Sequence, residues 1–143
     1  MARRTGGQGP GQLSRGVLVL DCQGLALAID GDLAISAQLE HARSHDIEVV
    51  VSTLTLVEAM NPQRRQPRWQ YVISRVRVEE VTRPLTDQAV ALLRSAGLHG
   101  HKYAIDAVVA ATAMAQPGPV MLITGDIDDM ATLCDKRVML IPA

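Results

Sequence analysis

Four carboxylates in this chain stand beside stretches that are otherwise apolar: Asp21, Glu58, Asp106 and Asp126. Asp21 and Asp126 each follow a short apolar run, and the other two lie inside segments with a helical pattern. Acidic residues are seldom found close to a protein core unless they are paired or bind a metal ion. Four acids placed in this way along the whole chain indicate one convergent acidic site.

A convergent acidic site needs its negative charge neutralised. Two carboxylates about 4 Å apart repel by roughly 4 kcal/mol at an effective dielectric constant of about 20. A larger group must therefore take up protons or bind cations. Oxygen ligands without Cys or His favour Mg²⁺ or Mn²⁺, and such ions typically activate water and neutralise charge in phosphoryl chemistry. The chain has no Ser-His-Asp order, no Walker lysine loop and no zinc-ligand spacing that would favour another chemistry.

Helix capping is the alternative role for two of the acids. Asp21 and Asp126 both precede a predicted helix, and Asp is a favoured N-cap residue. Both acids also follow predicted strands, and in open α/β sheets the working site lies beyond the carboxyl ends of the strands. The sequence leaves both roles open.

Helical periodicity places the other two acids. Leu54, Val57 and Glu58 share one helix face, which points Glu58 toward the core, although a position at the rim of the fold is an open alternative. Asp106 is the only charged residue in Tyr103–Ala115, a stretch that is apolar almost all round. A first-turn position would explain the sign of its charge but not its presence in a buried helix.

Alternating strands and helices must position these acids. Apolar patterns and turn residues predict strands at Val17–Leu20, Ile47–Val51, Val76–Val81, Val120–Thr124 and Val138–Ile141. They predict helices at Cys22–Ile29, Leu33–Ala42, from a cap at Ser52 or Thr53 to Met60, and at Arg64–Arg75, Thr86–Ala96, Tyr103–Ala115 and Ile127–Cys134. This order favours the α/β class, with a mostly parallel sheet sandwiched between helices. We expect one domain over 17–143, preceded by a disordered Gly- and Arg-rich tail over 1–16.

Composition favours a globular protein of the cytoplasm. Of 143 residues, 48% are apolar and 20% charged, and no stretch is long and apolar enough to span a membrane. Arg3 and Arg4 are followed by a Gly-rich stretch, which argues against an export signal. Cys22 and Cys134 lie far apart in apolar surroundings, as reduced cytosolic thiols do, although a disulfide stays open. The scarcity of aromatic residues argues against a surface that stacks bases.

Four motifs resemble the PIN domain, and more closely the VapC-type toxins of bacterial toxin–antitoxin pairs. They are Val-Leu-Val-Leu-Asp21, the helical Glu58, the helix Asp106-Ala-x-x-Ala-Ala-x-Ala, and Leu-Ile-Thr124-Gly-Asp126-x-Asp-Asp129. The resemblance spans about Val17 to Ile141. It implies a Rossmann-like α/β/α sandwich and a metal-dependent endoribonuclease in which water attacks an RNA phosphodiester. It also implies a homodimer that is silenced by a small antitoxin protein.

The resemblance assigns roles to the acids. It implies that Asp21 and Asp106 hold Mg²⁺ or Mn²⁺, with Asp126 close by and Glu58 completing the catalytic set. Thr124 matches the hydroxyl residue that precedes the last acid in the family.

Three neighbours of these acids are candidates for supporting roles or differ from the family. Gln23 stands where the family often has Ser, Thr or Asn, and it is a candidate for polar support of the metal site. Gly125 replaces a frequent Ser. Asp129 is either a fifth acid or a helix-start residue.

Basic residues crowd one stretch although the net charge of the chain is −1: Arg64, Arg65, Arg68, Arg75, Arg77 and Arg83. A local basic patch can hold a phosphate backbone even when the whole protein is nearly neutral. Arg64, Arg65 and Arg68 are therefore candidate contacts to RNA or an antitoxin, and a solvated helix face is the alternative. Lys102 is a further candidate for a substrate phosphate. The nearby His99 and His101 lack additional ligands at zinc spacing.

Two other functions compete with the nuclease. A haloacid-dehalogenase-like phosphatase needs a second Asp two residues after its nucleophile, and position 23 is Gln. A non-catalytic RNA- or partner-binding protein of the same fold would not need all four acids.

Overall fold

The computed structural model describes residues 15–143, in which five strands and seven helices alternate along the chain. In chain order they are β1 (Val17–Leu20), α1 (Cys22–Asp30), α2 (Leu33–Ser44), β2 (Glu48–Ser52), α3 (Thr53–Ala59), α4 (Gln66–Ile73), β3 (Arg77–Glu79), α5 (Arg83–Ala96), α6 (Gly100–Met114), β4 (Val120–Thr124), α7 (Ile127–Leu133) and β5 (Val138–Pro142). Each predicted strand and helix has its counterpart. Of the expected tail over 1–16, all but Arg15 and Gly16 lies outside the described residues.

The strands form one sheet in the order β3-β2-β1-β4-β5, and every strand pairing in residues 15–143 is parallel. The central strand is β1, whose Val19 lies opposite Val50 of β2 and whose Leu20 lies opposite Ile123 of β4. Because the strands are parallel, their carboxyl ends lie at the same edge of the sheet. The predicted α/β class with a mostly parallel sheet is confirmed.

Helices cover both faces of this sheet. On one face, Val19 and Leu122 pack with Val109 of α6. On the other face, Leu20 packs with Leu25 of α1, in a cluster that also includes side chains of α2 and α4. The result is the three-layer α/β/α sandwich that the resemblance implied. No helix in residues 15–143 has the length and apolarity needed to cross a membrane.

Two strands turn directly into helices at the carboxyl edge of the sheet. After β1, the Asp21 carboxylate accepts a hydrogen bond of 2.9 Å from the N–H of Gly24 and so caps α1. After β2, the Ser52 hydroxyl accepts one of 3.1 Å from the N–H of Leu54 and caps α3. Satisfying the free N–H groups of the first turn lets each helix start within one residue of its strand.

Most boundaries differ from the expected ones by one or two residues, and β3 covers only half of the strand predicted at Val76–Val81. For three helices the reason for the difference is local. The basic helix α4 is shorter than predicted, because Pro67 occupies its first turn. The helix α5 begins earlier than predicted, since Thr82 caps it through a bond of 3.3 Å from the N–H of Leu85. The helix α6 also begins earlier, at Gly100, and Tyr103 breaks its regularity with φ −113° and ψ 17°.

Candidate metal centre

A pocket of about 400 Å³ opens at the carboxyl edge of the sheet, and all four predicted acids line it. Its lining residues are Asp21, Cys22, Gln23, Glu58, Asp106, Val109, Gly125, Asp126 and Ala143. None of these side chains is basic. The parallel sheet brings the ends of β1 and β4 together, while α3 and α6 supply the other two acids.

Asp21 is the buried acid of the pocket, with 6% of its surface exposed. Its Oδ1 accepts the capping bond from Gly24, and its Oδ2 accepts a bond of 3.0 Å from the N–H of Gly125. Each oxygen therefore keeps one lone pair for a further ligand. Asp21 therefore both caps α1 and lines the acidic pocket, which are the two roles that the sequence left open.

Asp126 is exposed and makes no side-chain capping bond, although it stands at the N-cap position of α7. Its backbone is held instead by Thr124, whose Oγ1 accepts a bond of 2.9 Å from the Asp126 N–H. Thr124 itself is fully buried. The capping interpretation is therefore wrong for Asp126, and its carboxylate is left open to the pocket.

Three acids are close enough to share one ion. One carboxylate oxygen each from Asp106, Asp126 and Asp129 lies within 4.8 Å of the others. Asp129 belongs to this trio although it does not line the pocket, whereas Asp21 lines the pocket but is not in the trio. Asp106 and Asp126 are common to both sets and form the centre of the acidic site.

Burial and mutual repulsion raise the pKa values of the two helical acids, Asp106 and Glu58. Burial, followed by the charges of Asp126 and Asp129, raises the pKa of Asp106 to about 6. Burial, followed by the charges of Asp21 and Asp126, also raises the pKa of Glu58. A cation among these carboxylates would relieve the repulsion, because it favours the ionised form of each.

Glu58 reaches the pocket from its rim. The helix face that it shares with Val57 is not buried, since Val57 is 73% exposed and Glu58 is also exposed. The short helix α3 lies at the end of the sheet and buries Thr55 and Ala59 instead. The interpretation of Glu58 as a core-facing residue is therefore wrong, and its position matches the rim alternative.

The donor set suits a hard divalent cation. The carboxylates offer oxygen ligands of the kind that Mg²⁺ and Mn²⁺ prefer. Cys22 also lines the pocket, but burial and the charges of Glu58 and Asp21 raise the pKa of its thiol to about 11. The thiol therefore stays protonated at neutral pH and does not supply a soft thiolate ligand. Cys22 and Cys134 are both free.

Sequence patterns did not single out Gly125 or Cys22 as pocket residues. Gly125 donates its N–H to Asp21 and packs against Gln23: a Cβ added at Gly125 would lie 3.1 Å from both Cβ and Cγ of Gln23. The available signal was position alone, since Cys22 directly follows one acid and Gly125 directly precedes another.

The predicted basic contacts lie outside the acidic pocket. Arg64, Arg65 and Arg68 line a neighbouring cavity of about 540 Å³. Arg64 pairs with Asp30 at 3.1 Å, and Arg68 donates to the carbonyls of Ala28 and Ile29 at the end of α1. The backbone carbonyl of Arg65 accepts a hydrogen bond from the N–H of Trp69, whereas its guanidinium has no partner among the described residues and remains available to a ligand. Lys102 is exposed, and its Nζ lies 5.1 Å from the ring centre of Tyr103.

Comparisons with known proteins support the fold. No protein-family model and no curated protein sequence matches the chain. Its structure is similar to a chain of VapBC2 from Rickettsia felis bound to a DNA fragment from their promoter, with a TM-score of 0.68 and 18% identity over 89% of this chain and 98% of that one. It is also similar to a chain of a toxin–antitoxin complex from Klebsiella pneumoniae, with a TM-score of 0.63 and 21% identity over 85% of this chain and 95% of that one. At 18% and 21% identity, these similarities confirm the fold, which is the α/β/α sandwich that the resemblance implied.

Proposed function

We propose that residues 17–143 form one PIN-like domain that acts in the cytoplasm as a metal-dependent endoribonuclease, the toxin of a type II toxin–antitoxin pair. The observation that carries this proposal is the pocket in which four carboxylates meet with no basic side chain among its lining residues. Such a pocket repels an RNA phosphate unless a cation is present. The acids therefore favour metal-assisted hydrolysis of the phosphodiester over simple anion binding.

Each acid has a distinct part in the proposed reaction. Asp106, Asp126 and Asp21 hold Mg²⁺ or Mn²⁺, with Asp129 in support. When bound, the ion supplies positive charge for the phosphate and acidifies a water molecule. Glu58 at the rim has a raised pKa, which suits it to accept a proton from the attacking water.

The test is cleavage of a short single-stranded RNA by protein purified free of antitoxin, with Mn²⁺ and with EDTA. We expect cleavage only with the metal, and a loss of at least about a hundredfold in kcat/KM for Asp126→Asn. The matched control is Asp128→Asn, which changes a neighbouring exposed acid that does not line the pocket. Folded wild-type protein that cleaves no RNA with Mn²⁺ would reject the nuclease and favour the non-catalytic binding protein.

An antitoxin partner is supported by the two similar structures, one of VapBC2 and one of a toxin–antitoxin complex. On the opposite side of the molecule from α5 and α6, a groove of about 580 Å³ lies between α2 and α4. Its floor includes Leu39 and Val72, and its rim includes Arg75 and the ion pair between Arg43 and Glu40. We propose that an amphipathic segment of the antitoxin, with an acidic residue that faces Arg75, binds there. Tyr71→Glu in this groove is expected to weaken the complex and to leave RNA cleavage by the free protein intact.

A homodimer is supported by exposed apolar side chains on two helices. Val57 on α3 is 73% exposed and Val90 on α5 is 47% exposed, and both helices border the same apolar cluster around Leu85. We propose that this surface joins two copies. Sedimentation should find Val57→Glu monomeric, while the control Leu33→Glu, which changes another exposed apolar side chain, should stay dimeric. Equal assembly of the two variants would contradict the assigned surface.

A further inference from the structure

The side chain of Gln23 is held at the mouth of the acidic pocket with its amide unused. Gln23 lies in the first turn of α1, which Asp21 caps, and its side chain is exposed and lines the pocket. Its amide group has no hydrogen-bond partner among the described residues. The group is therefore free to bind a ligand that enters the pocket.

Gly125 leaves room for the side chain of Gln23. A Cβ at Gly125 would lie 3.1 Å from both Cβ and Cγ of Gln23, which is closer than carbon atoms normally pack. The backbone of Gly125 does not itself require glycine, since its φ lies outside the positive region. Glycine at position 125 is therefore explained by the space that the Gln23 side chain needs and not by a strained turn.

The same two residues are tied together through Asp21. Oδ1 of Asp21 fixes the first turn of α1, and Oδ2 accepts the bond from the Gly125 N–H. Gln23 thus lies in a helix turn that Asp21 caps, and it packs against the backbone of Gly125, which Asp21 also holds. This arrangement reduces the freedom of the Gln23 side chain and orients its amide.

Gln23 is also chemically distinct in the pocket. The other polar side chains that line it are carboxyls and the thiol of Cys22. Carboxylates cannot donate a hydrogen bond to an anion, whereas a glutamine amide has two N–H donors. Phosphate oxygens in protein–nucleic acid complexes are commonly bound by such amides.

We propose that Gln23 is a substrate-binding residue whose amide donates to a non-bridging oxygen of the RNA phosphodiester, and that Gly125 lacks a side chain in order to hold it there. This inference rests on the proposed function. It differs from polar support of the metal, since Gln23 would contact the substrate and leave metal affinity unchanged. A contact to phosphate would also act uniformly across RNA sequences.

The test separates RNA binding from metal binding. The Kd of a short single-stranded RNA is measured in Ca²⁺, the Kd of Mn²⁺ is measured without RNA, and KM and kcat are measured with Mn²⁺. We expect Gln23→Ala to weaken RNA binding and raise KM by about tenfold, which is near the lower end for a hydrogen bond to a charged group, and to change the Mn²⁺ Kd by less than about twofold. Gln23→Asn, which keeps the amide one carbon shorter, should recover part of the loss. The control Gln88→Ala, on the exposed face of α5, should match wild type.

A double-mutant cycle tests the role of Gly125. Gly125→Ala keeps the N–H that bonds Asp21 but displaces the Gln23 side chain, so we expect it to weaken RNA binding by about threefold. In the Gln23→Ala background the contact with the Cβ at position 23 remains, but no amide is left to displace, so the same change should have a much smaller effect on RNA binding. Additive losses would show that Gly125 acts independently of Gln23.

Two results would overturn the inference. Gln23→Ala that lowers kcat and weakens Mn²⁺ binding without changing KM would assign the amide to the metal instead. Gln23→Ala equal to wild type in every measurement would leave the amide without a role. Wild-type protein that neither binds nor cleaves RNA is a different result, because it rejects the nuclease itself.

Discussion

The carboxylate of Asp21 joins the ends of two neighbouring strands, because its Oδ2 accepts a hydrogen bond of 3.0 Å from the N–H of Gly125 just beyond β4. Asp21 and Gly125 lie 104 positions apart in the chain. One acid of the candidate metal centre therefore also fixes the geometry of the sheet edge. Removing its charge is expected to affect stability as well as activity.

Asp21→Asn should destabilise the metal-free protein by about 1–3 kcal/mol. The new side chain can still cap α1 through its oxygen, but its NH₂ group would then face the N–H of Gly125. Relief of repulsion from the other acids offsets part of this loss. Urea unfolding in EDTA measures the change, and Asp126→Asn, at an exposed acid without a capping bond, is the comparison and should stay within about 0.5 kcal/mol of wild type. Equal stability of the two variants would contradict the proposed role of the Oδ2 contact.

Asp106→Asn should have the opposite effect on stability. The pKa of Asp106 is raised from 3.8 to about 6, chiefly by burial, so the folded protein holds this proton more tightly than the unfolded chain does. The resulting stabilisation is fully present below pH 3.8 and is lost as the pH rises through about 6. In EDTA at neutral pH the variant should therefore be more stable than wild type, by about 1 kcal/mol after allowance for solvent screening of this half-exposed group. A variant less stable than wild type would show that the carboxylate is structural.

Mn²⁺ binding should depend on pH in the same range. The ion competes with the proton on Asp106, whose pKa is about 6, so the affinity should fall by about tenfold for each pH unit below that value. Titration calorimetry at several pH values measures this slope. Asp129→Asn should weaken binding at neutral pH, because Asp129 belongs to the trio with Asp106 and Asp126. Asp128→Asn is the matched control, and an equal loss in both variants would show that only long-range charge matters.

Strand positions were predictable wherever an apolar run ends at a polar residue. The predicted and observed bounds are identical for β1 and for Val120–Thr124. Periodicity does not encode strand order, however, because it reports which face of a strand is buried and not which strand lies beside it. The contact between Asp21 and Gly125 depends on that order and could be expected only from the general rule for sites in α/β sheets.

The contacts of the basic stretch with the end of α1 could not be predicted from the sequence. The sequence revealed the charges of Arg64 and Arg68, but not that the end of α1 would lie opposite them. In the structure, Arg68 donates to the carbonyls of Ala28 and Ile29 in the last turn of α1, where the helix dipole favours a cation. Side chains that contact distant backbone in this way cannot be recognised from local pattern, so their structural role competes with the predicted contact to RNA or antitoxin.

The hydroxyl of Thr55 offers a stability test away from the acidic pocket. Thr55 is fully buried in α3, and within residues 15–143 its Oγ1 is the buried side-chain polar atom that lacks a hydrogen-bond partner. Burying an unpaired hydroxyl is costly, so Thr55→Val should raise the free energy of unfolding by about 1 kcal/mol. Thr55→Ser keeps the hydroxyl and loses the methyl group, and it should lower stability by about 1 kcal/mol. Urea unfolding of both variants gives the comparison, and a destabilised Thr55→Val would mean that the hydroxyl has a hydrogen-bonding partner in solution.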